Sequence, residues 1–324
     1  MKPMMIQAHL NENVRPDRCP HVPIDPAACV TEGLASRRAG AAIVHFHART
    51  PDGDQAPFDV EFYRTVGRGL ASQSDVLWWP PQGESPTPQR RWAHVQALVA
   101  DPSTDLKLIS IDPGSYEDMM GYDPTTKSMF GAIGDELRDP DASDFDGSAV
   151  PKQEHWRWFC EEAQQLHIKP IFGILEPGYL RRVLAWYDMG LIDPPLSLHI
   201  FLTERLSYGL PAEVSSIDTY LSMIPASVPV EWFISPAGCT AETEQRLIDY
   251  AIDSGGHVRA GLGCPPIDAS PARLSMTNAD VIAGVSARAE KRGRAVANVA
   301  ETVDLLRIQS DNPSGVDSLS TSTS

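Results

Sequence analysis

Two histidines one residue apart close an apolar run, Ala41-Ala42-Ile43-Val44-His45-Phe46-His47-Ala48-Arg49. In an extended strand alternate residues face the same side, so His45 and His47 project together and can share one ion. Neutral imidazole is a common ligand for zinc, nickel, iron or cobalt. The competing reading is a pair of core histidines satisfied by hydrogen bonds, and the pattern by itself allows both. A second run, Gly255-Gly256-His257-Val258-Arg259-Ala260-Gly261-Leu262-Gly263, places Arg259 in mid-strand. A guanidinium there is costly unless it meets an anion or a carboxylate, so either a bound ligand or an internal ion pair is expected. Its glycines have a plainer use, letting a helix pack closely on a sheet. Trp78-Trp79 and His155-Trp156-Arg157-Trp158-Phe159 could stack on a ligand such as adenine but read first as core aromatics, and His94 and His199 have no partner legible in the sequence. No phosphate-binding loop, dinucleotide fingerprint or Gly-x-Ser-x-Gly elbow is present.

Short apolar runs bounded by Gly, Pro or Asp alternate with amphipathic stretches, as in buried parallel strands linked by helices. Strands are expected near 4–10, 41–47, 75–80, 106–111, 170–175, 198–202, 230–235 and 257–262. Helices are expected near 26–39, 60–71, 88–99, 153–166, 179–189, 213–223, 241–254 and 278–291. Asp25-Pro26 and Thr240 with Thr243-Glu244 are helix-start signals. Eight strands alternating with eight helices predict an α/β fold, a (β/α)8 barrel in one domain spanning 1–309, which places His45 and His47 at its C-terminal mouth. The acidic stretch 112–150 is expected as an insertion after the fourth strand, over the active-site face. The Ser/Thr-rich stretch 310–324 reads as a disordered polar tail.

Composition narrows the function classes. The net charge is −16 and no Lys/Arg run occurs, which argues against nucleic acid. An anionic substrate must therefore be held by local cations. No apolar stretch is long enough for a bilayer and no secretory-type leader is visible, so a cytoplasmic protein is expected. Five unpaired-looking cysteines fit reduced thiols.

The runs AGAAIVHFHART and GGHVRAGLG and the later TNADVI resemble the beta-keto acid cleavage enzymes, the family of the 3-keto-5-aminohexanoate cleavage enzyme. The resemblance extends from Met5-Ile6-Gln7-Ala8 through Val22-Pro23-Ile24-Asp25-Pro26 to near Leu305. It implies an oligomeric metal-dependent barrel that condenses a beta-keto acid with acetyl-CoA, giving acetoacetate and a new CoA thioester. By the same resemblance His45 and His47 are metal ligands, and Arg259 and Ser110 are catalytic. Arg49, and Gln82 and Gly83 after the third strand, are expected to bind substrate. A divalent metal, zinc first, with nickel, cobalt or iron as alternatives, would act as a Lewis acid on the keto and carboxylate oxygens.

The departures are equally specific. Where the family reads Glu-Asp-Asn after the Arg strand, with a metal-ligating Glu and a basic Asp, this chain has Gly263-Cys264-Pro265. The Glu-x-Glu of the fifth strand becomes Ile171-Phe172-Gly173, and the first-strand Glu falls at Asn13 or Val14. Cys264 is therefore expected as third metal ligand, because thiolate binds zinc well. His9 and Glu12 are further ligand candidates, and Glu12 is also expected as a compensating catalytic carboxylate. The expected function is beta-keto acid cleavage with acetyl-CoA on a substrate other than 3-keto-5-aminohexanoate, uncharged or anionic, by a homo-dimer or tetramer. The alternatives are a metal-dependent aldolase or hydrolase, or a barrel retained only for binding.

Overall fold

The computed structural model describes residues 1–12, 14–83, 85, 87–114, 120–123, 128–132, 152–205 and 209–309. Its parallel strands are β1 (Ile6–His9), β2 (Ile43–His45), β3 (Leu77–Trp79), β4 (Leu108–Ile111), β7 (Lys169–Ile174), β8 (Leu196–Leu202), β9 (Val230–Pro236) and β10 (His257–Ala260). A separate antiparallel pair, β5 (Met120–Asp123) and β6 (Ser128–Ala132), lies between β4 and β7 in sequence. The eight-stranded sheet runs β3-β2-β1-β10-β9-β8-β7-β4, and β3 lies beside β4 without a ladder, so the barrel is nearly closed. This is the expected (β/α)8 architecture. Much of the expected insertion, and all of the expected tail, lie outside the described residues.

Alternation along each strand divides the core into two layers. Ile6, Ala8, Val44, Phe46, Trp78, Ile109, Phe172, Ile200 and Ile234 face the helices. Met5, Ile43, Leu77, Trp79, Leu108, Ile171 and Phe233 fill the barrel interior, where Ala297, Val299 and Leu306 join them. Val299 and Leu306 belong to a terminal helix, Val299–Leu306, that lay outside the sequence expectation. Because the strands pair in register (His9↔His45↔Trp79, Gln7↔Arg259, Gly173↔His199↔Phe233), these residues also face inward.

Local signals explain the elements. Asp25 accepts from Ala28 N and Pro26 opens the first helix, while Thr240 accepts from Thr243 N. Thr277 and Asp280 form a capping box at the TNADVI segment. The helix expected over 88–99 is broken at Trp92 into Pro88–Arg91 and Ala93–Val99. The glycines of the GGHVR run have structural uses. Gly255 ends its helix with φ 85°, and a Cβ on Gly256 would lie 2.3 Å from the Trp232 ring. At the strands' N-terminal end, buried His257 accepts from Met5 N (2.9 Å) and donates to Glu231 (2.7 Å), which also pairs with Lys2.

Candidate metal centre

β2 ends at His45, and the chain carries His47 just past it, at the mouth where barrel active sites are built. Each imidazole is oriented through Nδ1. His45 Nδ1 lies 3.0 Å from the Trp79 carbonyl, so it carries the proton and donates. His47 Nδ1 donates to Gln55 Oε1 at 2.9 Å, and the Gln55 amide donates to the Glu12 carbonyl at 2.6 Å, which fixes its orientation. With both protons on Nδ1, two bare Nε2 lone pairs face each other at 3.1 Å. Two lone pairs at that distance repel unless a cation lies between them.

The third group is Glu12, on the turn after β1. One ligand atom each from Glu12, His45 and His47 lies within 4.8 Å of the others, and Glu12 Oε1 is 3.8 Å from His45 Nε2. Its other oxygen meets Arg259 at 2.7 Å and His9 Nδ1 at 3.2 Å. Burial pushes the Glu12 pKa upward, but the Arg259 guanidinium and the His9 hydrogen bond outweigh it, leaving the carboxyl well below its ordinary value and ionised. Burial holds His45 well below the ordinary histidine value, with His47 adding to the shift, and burial brings His47 and His9 down to about 4. Neutral imidazoles and an ionised carboxylate are the protonation states that ligate a divalent ion. The donor set fits such a metal, and outer hydrogen bonds of this kind are what orient ligating histidines.

Several residues hold the Glu12 turn. The Asn11 amide accepts from His47 N (2.8 Å) and donates to His47 O (2.9 Å) and Pro23 O (2.8 Å). A turn with Gly53 at φ 84° brings Gln55 back beside Arg49. On the other side, a Cβ on Gly263 would stand 2.8 Å from Glu12 N and 2.9 Å from Glu12 Cβ. The absent side chain at 263 is the space that the Glu12 turn occupies.

The expected site residues are only partly brought together. His45, His47, Glu12 and Arg259 converge. Cys264, expected as a ligand, lies outside the three-residue group, and burial with the nearby Glu12 charge pushes its thiol up to about 11. Glu12, the expected carboxylate candidate on the turn after β1, lies in the group. Arg49, expected to bind substrate, donates to the carbonyls of Gly53, Asn11, Glu12 and Val14. Gln82 and Gly83, also expected at the substrate, stitch the open seam. Gln82 Nε2 donates to Ser110 O (2.8 Å), and Arg91 donates to Gln82 Oε1 and Gly83 O, each at 3.0 Å. A Cβ on Gly83 would also collide with the Phe58 ring at 2.2 Å. Ser110 faces the interior from β4, across that seam. At Gly173, a Cβ would fall 2.1 Å from Asp112 Oδ1, so a neighbouring carboxylate fills the space beside β7.

Sequence reasoning offered Trp79 only as a core or ligand-stacking aromatic, and did not single out Asn11 or Gln55. Trp79 stacks on His45 with ring centroids 3.6 Å apart. The signal was available there, because strand alternation sends Trp79 inward and Trp78 outward. Asn11 and Gln55 had none, since side-chain amides in loops occur everywhere.

Comparison with known proteins bears on the family and the fold. The model of the beta-keto acid cleavage enzyme family matches residues 3–308. The chain belongs to that family. A 3-dehydrocarnitine:acetyl-CoA trimethylamine transferase of Rhizobium meliloti is 23% identical over 266 residues, covering 75% of this chain and 76% of that protein. A 3-oxoadipate:acetyl-CoA acetyltransferase of Cupriavidus necator is 23% identical over 293 residues, covering 90% and 89%. Among solved structures, ObcA in binary complex with oxaloacetate has a TM-score of 0.59 at 14% identity, covering 90% of this chain and 68% of that one. Apo ObcA has a TM-score of 0.62 at 14% identity, over 89% and 66%. That likeness is one of fold. No helix among the described residues is long and apolar enough to cross a membrane.

Proposed function

We propose that this chain is a metal-dependent beta-keto acid cleavage enzyme that condenses a beta-keto acid with acetyl-CoA and releases acetoacetate and a new acyl-CoA. The observation that carries the reading is the pair of Nε2 lone pairs facing at 3.1 Å beside an ionised Glu12, inside a barrel mouth of this family. Zinc is the ion we propose, with nickel, cobalt or iron as alternatives, in a cytoplasmic homo-dimer or tetramer. The bound metal would supply Lewis acidity toward the keto and carboxylate oxygens. The chain's own residues do the rest. Asn11, Gln55 and Arg49 hold the ligands in place, and Trp79 shields the face of His45. Arg259, bonded to Ser235 Oγ at 3.0 Å and to Glu12, presents a fixed cation for a substrate carboxylate. Ser110, facing inward from β4, is proposed as a further catalytic group.

The proposed substrate is an uncharged or anionic acid rather than 3-keto-5-aminohexanoate. Gly173 stands where the family carries a carboxylate, so a substrate ammonium would lack that residue's counter-charge. A second reading, an aldolase or hydrolase on the same metal, is favoured by Cys264, whose thiol stays protonated and cannot replace a carboxylate base. The experiment is elemental analysis of the purified protein, followed by a screen of beta-keto acids with acetyl-CoA for acetoacetate release. Stoichiometric metal with CoA-dependent acetoacetate release is the expected result. Metal without CoA dependence would transfer the proposal to the second reading, and absence of metal would leave only a binding barrel.

A further inference from the structure

The two oxygens of the Glu12 carboxylate have different partners. Oε1 lies 3.8 Å from His45 Nε2, which is itself 3.1 Å from His47 Nε2. Donor atoms about 2.0–2.1 Å from a tetrahedral ion stand roughly 3.3 Å from one another, so Oε1 has close to a ligand's spacing. Oε2 is engaged elsewhere. It forms an ion pair with Arg259 at 2.7 Å and accepts from His9 Nδ1 at 3.2 Å. An ionised carboxylate only accepts, so His9 carries its proton on Nδ1.

Neither partner is free to follow Oε2 if the carboxylate turns. His9 ends β1, where it pairs with His45 of β2, and its carbonyl accepts from Gly263 N at 3.0 Å. It is 3% exposed, and a Cβ on Gly263 would fall 3.0 Å from its Nδ1, so the ring edge rests against the β10 loop. Arg259 is buried too and anchored to Ser235 Oγ at 3.0 Å. The Glu12 backbone is held as well, its carbonyl accepting from Gln55 Nε2 at 2.6 Å and from Arg49 at 2.5 Å. Only the Glu12 side-chain torsions could bring Oε2 to the two histidines, and that rotation would break both of its bonds. The consequence lies in the open position that a catalytic zinc keeps beside three protein ligands. A carboxylate chelating through both oxygens would fill it, and one confined to Oε1 leaves it for a substrate oxygen. Arg259 is also the proposed partner of a substrate carboxylate, so His9 is the restraint on Oε2 that substrate does not share.

We infer that His9 is a positioning residue which, with Arg259, holds Oε2 and so confines Glu12 to a single donor oxygen, Oε1. This rests on the metal reading proposed above and specifies how its carboxylate is used. It also places His9, a candidate ligand by sequence, behind the ligand group rather than in it. The test loads the full-length protein with one equivalent of cobalt(II), whose visible bands are intense in tetrahedral sites and weak in octahedral ones. The wild type should show the intense bands. Folded His9→Leu should still bind one cobalt, with the bands reduced severalfold as the freed carboxylate chelates. His9→Asn, which keeps an N–H for the same oxygen, should recover the wild-type spectrum. A wild-type spectrum in His9→Leu, weak bands in the wild type, or loss of cobalt from His9→Leu would each overturn the role. A wild type that binds no cobalt removes the metal reading itself, and the role of His9 with it. If His9→Leu does not fold, a crystal structure of the zinc-loaded wild type decides. One Glu12 oxygen about 2.0–2.2 Å from zinc with the other on His9 supports the role, and both oxygens at that distance overturn it.

Discussion

At the scale of single residues, the metal group rests on proton placement. His45 and His47 each use Nδ1 to donate, so each has only Nε2 left for an ion. His45→Ala and His47→Ala should each strip the metal with little loss of fold, because both sit at the mouth, above the apolar packing of Ile43, Leu77 and Leu108. Elemental analysis beside a thermal melt checks this, and full metal content in either variant would contradict it. Glu12→Gln removes the negative charge at similar size and should also lower metal content to well below stoichiometric. Cys264→Ser should leave metal content unchanged, since its sulfur stands outside the group. Loss of metal in that variant would restore Cys264 as a ligand.

Among elements, the question is what brings a turn after β1 to the end of β2. Gln55 joins the two by accepting from His47 and donating to the Glu12 carbonyl. Gln55→Leu keeps the bulk and removes both bonds. Metal affinity should fall about 10–100-fold, the usual cost of losing a hydrogen bond behind a ligand. Competition with a chelator reads that change, and an unaltered affinity would reduce Gln55 to a loop residue. Gly263 tests the same arrangement from the β10 side. Its missing side chain makes room for the Glu12 turn, so Gly263→Ala should displace Glu12 and weaken metal binding while the barrel still melts cooperatively. Wild-type affinity in that variant would show that the turn can shift at no cost.

For the whole molecule, buried histidines outside the mouth make stability depend on pH. His94, which donates to Pro81 O at 2.9 Å, and His257, bonded to Glu231, are both brought down to about 4, chiefly by burial. A histidine with a lowered folded pKa contributes its full stability above the unfolded value near 6.5 and loses it as pH falls toward the folded value. Each should cost about 2 kcal/mol between pH 7.5 and pH 5, roughly 1.36 kcal/mol per pH unit below 6.5. Denaturant unfolding of metal-stripped protein across that range measures it, and His94→Gln should flatten the slope. A stability independent of pH between 7 and 5 would mean that these rings accept protons without unfolding.

Much was decided along the chain itself. The alternation of apolar runs and amphipathic stretches determined an eight-stranded barrel, because strand and helix periods are local properties of the chain. The HxH spacing likewise determined two imidazoles on one face at a strand's end. Cys264, His9 and Glu12 were all legible as candidates to join the two histidines, and the choice among them was not, since Glu12 and Gly263 are far apart in sequence and meet only when β1 and β10 pair. The intramolecular partners of Arg49, Gln82 and Gly83 were hidden for the same reason, because only the fold shows which backbone carbonyls and side chains a guanidinium or an amide meets. His199 has no motif around it, and only barrel closure buries its ring beside Trp79 and Phe233.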